Sequence, residues 1–486
     1  MLEIAARQNA RRTAIVDGKT AVSYEALGER VACFAIKLHS AGTRQGSRVA
    51  LLLPNGSDFV TSYFAVVTLG AIAIPLNDQY QQTELLRFLD ACGVSLLVTS
   101  KDHAELCRNV LSMRQAPGKL VFAEDLIETG EGASARLSDL AVEIDPNAPV
   151  MYQFSSGSTG TPKQIARTHA NLLFELESLT QTLSMTREDR FLGVTPFSHV
   201  NGLMRTMLAS LRAGATLYPL AKFERQAVAE VIEQQRISVF IGVPFMFSML
   251  ARANFRRRPD FSSLRLCISA SAPMPERLDR QFYEGFGMHV RQLYGSTETG
   301  TISVNLAEDI ERSLGSVGMP LPGVEVEVFT EDGRIAGENE VGEFAVRSPA
   351  AITGYGGLED VNREVFRDGY FSTGDLGRRD RAGFLYLVGR KKFFINKGGY
   401  KINPHELETV LEDHPRVEEA AVVGEPTAYG DERVKAVIVL NGPCSEEDII
   451  EYCRGKIARF KIPSVIEFRE SLPRSPTGKI RKGLLG

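Results

Sequence analysis

The sequence predicts an α/β protein that passes into a small antiparallel β region and ends in an α+β unit. Three observations predict it. Continuous apolar runs alternate with helical patterns through most of the chain. Strict apolar–polar alternation begins near Val324, and a charged, glycine-containing break at 389–392 opens a new pattern of helix, hairpin and helix. A length of 486 residues agrees, because chains of this size divide into two or more domains.

Val49-Ala50-Leu51-Leu52-Leu53 is a strand that stops at Pro54-Asn55-Gly56. Ala71-Ile72-Ala73-Ile74-Pro75, Ser95-Leu96-Leu97-Val98-Thr99, Val239-Phe240-Ile241-Gly242-Val243 and Leu264-Arg265-Leu266-Cys267-Ile268 repeat the pattern. Unbroken apolar strands separated by helices belong to sheets covered on both faces. Val324-Glu325-Val326-Glu327-Val328 and Gly342-Glu343-Phe344-Ala345-Val346 instead alternate, which predicts a small antiparallel subdomain ending near 384–388. Gly389-Arg390-Lys391-Lys392 interrupts it, and the hinge is placed at 390–392. A helix over 403–414, a hairpin of 420–423 with 434–440, and a helix over 445–459 make a unit of domain size.

Composition narrows the function classes. Apolar residues make up 43% and charged residues 24%, as in ordinary globular proteins, and the net charge is −4. A general nucleic-acid or membrane-surface binder needs a basic excess. The six cysteines (33, 92, 107, 267, 444, 453) form no CxxC pair and the histidines are scattered, so no structural zinc site is expected. Few, unclustered cysteines suit a reducing cytosol. The first residues lack a basic-then-apolar secretory pattern. The apolar run 64–76 is too short to span a bilayer and is predicted core. These features predict a soluble cytoplasmic protein, monomer or homodimer, with no nucleic-acid partner and no membrane span.

The most informative segment follows the strand-like Val150-Met151-Tyr152-Gln153-Phe154. It reads Ser155-Ser156-Gly157-Ser158-Thr159-Gly160-Thr161-Pro162-Lys163. Glycine permits φ > 0, so successive backbone N–H groups can converge on an anion. Hydroxyls add donors and Lys163 adds charge, which together suit a polyphosphate. A Walker A loop needs Gly-Lys-Ser/Thr opening a helix, whereas Pro162 precedes Lys163 and Gln164 follows it. Taken alone, the segment reads equally well as a Gly/Ser-rich surface linker.

The loop resembles the signature of the AMP-forming acyl-adenylating superfamily, which includes acyl- and aryl-CoA synthetases, luciferases and stand-alone adenylation enzymes. Further motifs follow in the family's order along the whole chain. Thr195-Pro196-Phe197-Ser198-His199-Val200-Asn201-Gly202-Leu203 is similar to the segment bordering the carboxylate pocket, and has no Asp to hold a substrate ammonium. Ser269-Ala270-Ser271-Ala272-Pro273 resembles the wall of the adenine pocket. Leu293-Tyr294-Gly295-Ser296-Thr297-Glu298-Thr299 resembles the Tyr-Gly-x-Thr-Glu motif. The resemblance implies that Tyr294 stacks on adenine, Thr297 bonds the α-phosphate, and Glu298 with Thr159 faces Mg²⁺.

Ser372-Thr373-Gly374-Asp375 and Arg390 resemble the ribose contacts. Lys392 falls on the family's hinge position. Lys397-Gly398-Gly399-Tyr400-Lys401 is similar to the loop lining the thiol tunnel, with Gly398 and Gly399 at its wall. Pro473-Arg474-Ser475-Pro476-Thr477-Gly478-Lys479 resembles the C-terminal catalytic loop, and Lys479 matches the adenylation lysine. Gln164 and Lys401 depart from the usual Gly and Arg, and Lys391-Lys392 replaces a common acidic pair.

The resemblance implies a large N-terminal domain (1–389) of two α/β sheet subdomains plus a small β-barrel-like subdomain. A hinge (390–392) and a small mobile α+β C-terminal domain (393–486) follow. The implied reaction is ATP-dependent activation of a fatty or aryl acid to acyl-AMP with pyrophosphate release, then transfer to CoA. A stand-alone enzyme loading the phosphopantetheine of a separate acyl carrier protein is the alternative. Implied ligands are ATP, Mg²⁺ and CoA. The nucleotide residues would be Ser155, Ser156, Gly157, Ser158, Thr159, Gly160, Lys163, Ala270, Ser271, Ala272, Tyr294, Gly295, Ser296, Asp375 and Arg390. Lys479, Thr297, Glu298 and His199 would act in catalysis. Phe197, Val200, Val243 and Phe245 would line an apolar acyl pocket. A P-loop ATPase or kinase would need the missing Walker lysine and would form ADP. A non-catalytic nucleotide binder would have no use for Lys479.

Overall fold

A computed structural model describes residues 1–126, 137–140, 142–155, 163–397, 400–427, 432–454, 456–475 and 478–486. One sheet has six strands, in the order Lys119–Phe122, Leu96–Thr99, Arg48–Leu52, Ile72–Leu76, Pro149–Ser155 and Lys163–Thr168. The first five are parallel and the last returns antiparallel. Ile72–Leu76 is buried at every position. Helices cover both faces of such a sheet, which is why its strands read as continuous apolar runs. The run 64–76 is core as expected, divided between the end of helix Ser57–Thr68 and strand Ile72–Leu76.

The second sheet has a parallel part ordered Arg291–Ser296, Leu266–Ser269, Val239–Gly242, Arg190–Gly193, Thr216–Pro219 and Thr13–Asp17. Beyond Arg291–Ser296 the same hydrogen-bonded path continues antiparallel. It passes through Gly300–Val304, Ser316–Pro320, Leu385–Arg390, Tyr370–Arg379, Gly342–Arg347 and Glu325–Phe329. The antiparallel subdomain therefore begins at Gly300, earlier than the alternation near 324 indicates. Thr301 and Ser303 alternate there with Ile302 and Val304, but all five residues of Gly300–Val304 are buried, so the strand shows no solvent face.

The C-terminal unit has its own core. The hairpin Val417–Pro426 with Glu432–Leu440 gains a parallel third strand, Val465–Phe468. Helices Pro404–Glu412 and Glu446–Arg454 contribute Leu407, Leu411, Ile449 and Cys453 to one buried cluster with the sheet. Among the described residues, polar contacts join this unit to the rest, including one from Arg277 to the Glu412 carbonyl. Arg252 pairs with Glu418 at 2.6 Å, Asn403 Nδ2 donates to the Val388 carbonyl at 2.7 Å, and the Arg474 guanidinium lies 4.8 Å over the Phe245 ring. No described helix is long and apolar enough to cross a membrane.

Glu412 ends the helix Pro404–Glu412 one turn after Glu408. Burial and the Glu408 carboxylate push its pKa up to about 8 from an ordinary 4.5. The folded chain therefore holds a proton that the unfolded chain releases near pH 4.5. The stability this group contributes is complete below that pH and is lost as pH rises through about 8. Glu412→Gln should gain melting temperature relative to the parent between pH 5 and pH 8. A gap that does not change with pH in thermal melts contradicts this reading.

Candidate active site

Tyr294 lies in the last parallel strand, Arg291–Ser296, and is buried. Its hydroxyl donates to Asp375 Oδ2 at 2.7 Å, and Arg390 Nε donates to Asp375 Oδ1 at 2.5 Å. Burial, then the Asp375 charge, hold the Tyr294 hydroxyl far above the ordinary tyrosine range, so it stays protonated and donating. Asp375 follows Gly374 at φ +72, and Thr373 Oγ1 accepts the Asp375 N–H at 3.0 Å. The expected ribose pair is thus one network with the expected adenine ring.

Glu298 leaves the same strand through a tight turn, in which Ser296 and Thr299 exchange hydrogen bonds. One Glu298 carboxylate oxygen accepts the Tyr355 hydroxyl at 3.0 Å. Lys163 Nζ sits 4.8 Å over the Tyr355 ring. Tyr355 thereby links the loop lysine to the expected metal-facing carboxylate, and sequence reasoning missed it. Thr297 presents its carbonyl to Arg167 at 3.1 Å. Ser155 pairs opposite Lys163 in two antiparallel strands. A Walker A loop connects a strand to a helix, so the topology independently excludes one. Ser156, Gly157, Ser158, Thr159, Gly160, Gly398 and Gly399 lie outside the described residues, as do the side chains of Ser155 and Lys392.

The turn after strand Arg190–Gly193 carries His199 and is fastened by Asn55. The Asn55 amide donates to the carbonyls of Gly193 at 3.1 Å and Thr195 at 2.9 Å, and its oxygen accepts the Phe197 N–H at 2.8 Å. Phe197 was expected in the acyl pocket. It is 1% exposed and packs edge-on against Phe59 at 5.5 Å. Val200 packs against that core from its margin. A π-helical segment, Asn201–Leu208, follows; such winding is rare and often found at functional sites.

His199 is pulled down to about pKa 4 by burial and by the Lys479 charge, which leaves it neutral at pH 7. Lys479 comes from the far end of the chain on a closed loop. Ser475 N–H donates to the Lys479 carbonyl and Gly478 N–H to the Ser475 carbonyl, both at 2.8 Å. Gly478 has φ +77, and a Cβ there would lie 3.1 Å from Val243 Cγ2. Arg474 covers Phe245. The loop therefore seats on Val243 and Phe245, two of the four residues expected around the acid. Surrounding protein and Arg390 lower the Lys479 pKa, against Asp375 and Glu298. Lys479 nonetheless remains open to water, which screens these charges.

Ala270 is buried at the end of Leu266–Ser269, and Ala272 is exposed in the turn beyond it. Between them Ser271 adopts φ +74, a strained region for a side chain that is concentrated at functional sites. Gly295 is required by close approach: a Cβ would fall 2.3 Å from the Gly300 carbonyl and 2.5 Å from Arg205 Nη2. A surface depression of about 430 Å³ beside His414 and Tyr452 contains none of these groups. No cluster of three or more metal-ligating side chains occurs among the described residues. The described metal candidate is the single carboxylate of Glu298, which fits Mg²⁺, an ion that takes few protein ligands beside phosphate oxygens and water.

A family model described as AMP-binding enzyme matches residues 2–356. One described as AMP-binding enzyme C-terminal domain matches residues 406–479. The chain is 33% identical over 485 residues to a feruloyl-CoA synthase of an Amycolatopsis species, covering 98% of this chain and 96% of the relative. It is 32% identical over 488 residues to an oxalate–CoA ligase of Arabidopsis thaliana, covering 98% and 95%. The solved structure of o-succinylbenzoate coenzyme A synthetase from Bacillus subtilis, in complex with ATP and magnesium ion, is similar at a TM-score of 0.88 and 29% identity. That match covers 100% of this chain and 98% of the other.

Asn55→Ala removes three hydrogen bonds from a buried turn. At about 1 kcal/mol each it should cost roughly 2–4 kcal/mol in urea unfolding. A loss below about 0.5 kcal/mol would show that the turn holds without it.

Proposed function

We propose that this chain, which belongs to the family of AMP-binding enzymes, is an AMP-forming acid–CoA ligase acting on an acyl or aryl acid. The observation that carries the proposal is the position of Lys479. A loop more than three hundred residues beyond Lys163 rests on Val243 and Phe245 and brings Lys479 within electrostatic reach of Glu298, Asp375, Arg390 and His199.

In the first half-reaction a carboxylate oxygen attacks the α-phosphorus of ATP. The bond to the bridging oxygen breaks, and pyrophosphate leaves with the electron pair. Reactants and transition state are anionic, so positioning and charge neutralisation supply the catalysis. Asp375 and Arg390 would hold the ribose; each Asp375 oxygen already accepts one protein hydrogen bond and can accept another. The Tyr294 ring would stack on adenine. Lys163 and the loop 155–163 would grip the departing pyrophosphate. Lys479 would bridge the acid and the α-phosphate. His199, being neutral, adds no second cation to compete for the carboxylate. Mg²⁺ bound by Glu298 and phosphate oxygens would neutralise phosphate charge.

In the second half-reaction the CoA thiolate attacks the acyl carbon and AMP departs. Thiol entry needs a different surface from adenylation, so a rotation about Lys392 would withdraw Lys479 and bring in the loop around Gly399. One contact that such a rotation would separate is weak. The Arg252–Glu418 pair is about one-third exposed on both sides, and pairs of that kind contribute about 0–1 kcal/mol. The relatives' names support CoA over a carrier protein as acceptor. Six free cysteines support a cytoplasmic setting, where the enzyme would serve fatty- or aryl-acid metabolism.

Lys479→Ala should lower acid-dependent ATP–pyrophosphate exchange by about 10²–10³-fold and spare thioester formation from synthetic acyl-adenylate. Loss of both half-reactions in a folded variant would sink the assignment.

A further inference from the structure

Arg205 lies in the π-helical segment Asn201–Leu208, six residues beyond His199, and is 1% exposed. Its Nε donates to Thr301 Oγ1 at 3.0 Å, yet its Nη2 is buried with no hydrogen-bond partner. Arg167, also fully buried, donates to Glu175 at 2.7 Å and leaves its own Nε unpartnered. Glu175 also accepts Thr301 N–H and Oγ1, each at 2.9 Å. Arg167 thus pairs with the Glu175 carboxylate directly, and Arg205 reaches it through Thr301. Burial alone would raise the Glu175 pKa, but Arg167 and Arg205 hold it below the ordinary range, so it is ionised. Burial lowers the Arg205 pKa only to about 10, so Arg205 is charged as well. The cluster carries a net charge of one cation, and an uncompensated buried charge is costly.

The free end of that charge abuts the site. Arg205 Nη2 occupies the space where a Cβ on Gly295 would stand, between Tyr294 and Ser296. Asn201 of the same segment donates to the Gly242 carbonyl at 3.4 Å, one residue before Val243. The segment therefore lies beside Gly295 and Gly242, and Gly242 leads directly to Val243 of the expected acid pocket. Further polar atoms there are buried and unpartnered: Thr195 Oγ1, Asn201 Oδ1 and Ser269 Oγ. They follow or end parallel strands, where ligands bind in open α/β sheets. A pocket for a purely apolar acid gains nothing from four such groups and loses the desolvation cost of each.

We propose that Arg205 determines specificity by receiving a second carboxylate of the acid, so that the preferred substrate is a dicarboxylic acid activated at its other end. This rests on the acid–CoA ligase reading and deepens it. Asn201 and Ser269 would serve the remaining oxygens or a bridging water. Arg205 positions the substrate and takes no part in bond making.

The test measures acid-dependent pyrophosphate release by the parent enzyme. The panel is malonate, succinate, glutarate and the benzenedicarboxylates, each against its monomethyl ester and against hydrocarbon acids of matched length. A charge-assisted hydrogen bond of about 1.5–3 kcal/mol predicts a kcat/KM ratio of diacid to monoester of roughly 10–100 for the best diacid. Arg205→Met should collapse that ratio toward one through the KM of the acid, and Arg205→Lys should restore part of it. Because the ratio is first read on the parent, a variant that fails to fold does not decide the outcome. Monoesters or hydrocarbon acids that match or outperform every diacid overturn the inference and leave the ligase reading standing. A folded Arg205→Met that weakens ATP equally with all acids also overturns it, because the anion met would then be a phosphate. No release with any acid overturns the ligase reading and this inference with it.

Discussion

The Asp375 carboxylate holds three parts of the molecule in one arrangement. Tyr294 reaches it from the last parallel strand of the second sheet, and Arg390 reaches it from the end of strand Leu385–Arg390. Lys479 feels its charge from the C-terminal loop. Asp375 is only 6% exposed, and a buried carboxylate persists only when hydrogen-bonded or paired. Satisfying it with Tyr294 and Arg390 fixes where the antiparallel subdomain stands relative to the parallel sheet. It also fixes where the C-terminal unit begins.

Electrostatics divides the site into two sides. On the proposed phosphate side the cations are Lys163, Arg390 and Lys479, none of them fully buried. Such charges attract a polyanion while their mutual repulsion stays screened. On the acid side the cation is Arg205, dry and excessive by one charge over Glu175. The two settings suit ligands of different kinds: a hydrated nucleotide that enters and leaves, and a smaller group for which a fixed partner has been prepared. In the proposed rotation Lys479 would withdraw with the C-terminal unit, while Arg205, on Asn201–Leu208, would stay beside the parallel sheet.

Much of this was legible in the sequence where a strand or motif is self-sufficient. Val49–Leu53 and Val239–Val243 read as buried strands because both faces are covered. Tyr294, Asp375 and Arg390 were recognisable because the surrounding short motifs carry them. What failed to show depends on tertiary contact. Phe197 sits in a motif, but its packing on Phe59 comes from a tertiary contact that a one-dimensional pattern does not carry. Gly300–Val304 is only five residues long and buried on both faces, so little in it marks the start of the β subdomain. Tyr355 carries no local signal and is defined only by Glu298 and Lys163 coming to it. Arg205 had a faint one, the one charged residue in the stretch 200–211, but its bond to Thr301 and its unpartnered nitrogen appear only in the fold.

The central claim is that ATP is cleaved at the α-phosphorus on behalf of an acid. Phosphorus NMR of ATP incubated with enzyme, Mg²⁺, CoA and an acid panel tests it most directly. The account predicts AMP and pyrophosphate in equal amounts, matched by thioester and dependent on the acid. ADP with inorganic phosphate, or ATP consumption indifferent to the acid, would contradict it.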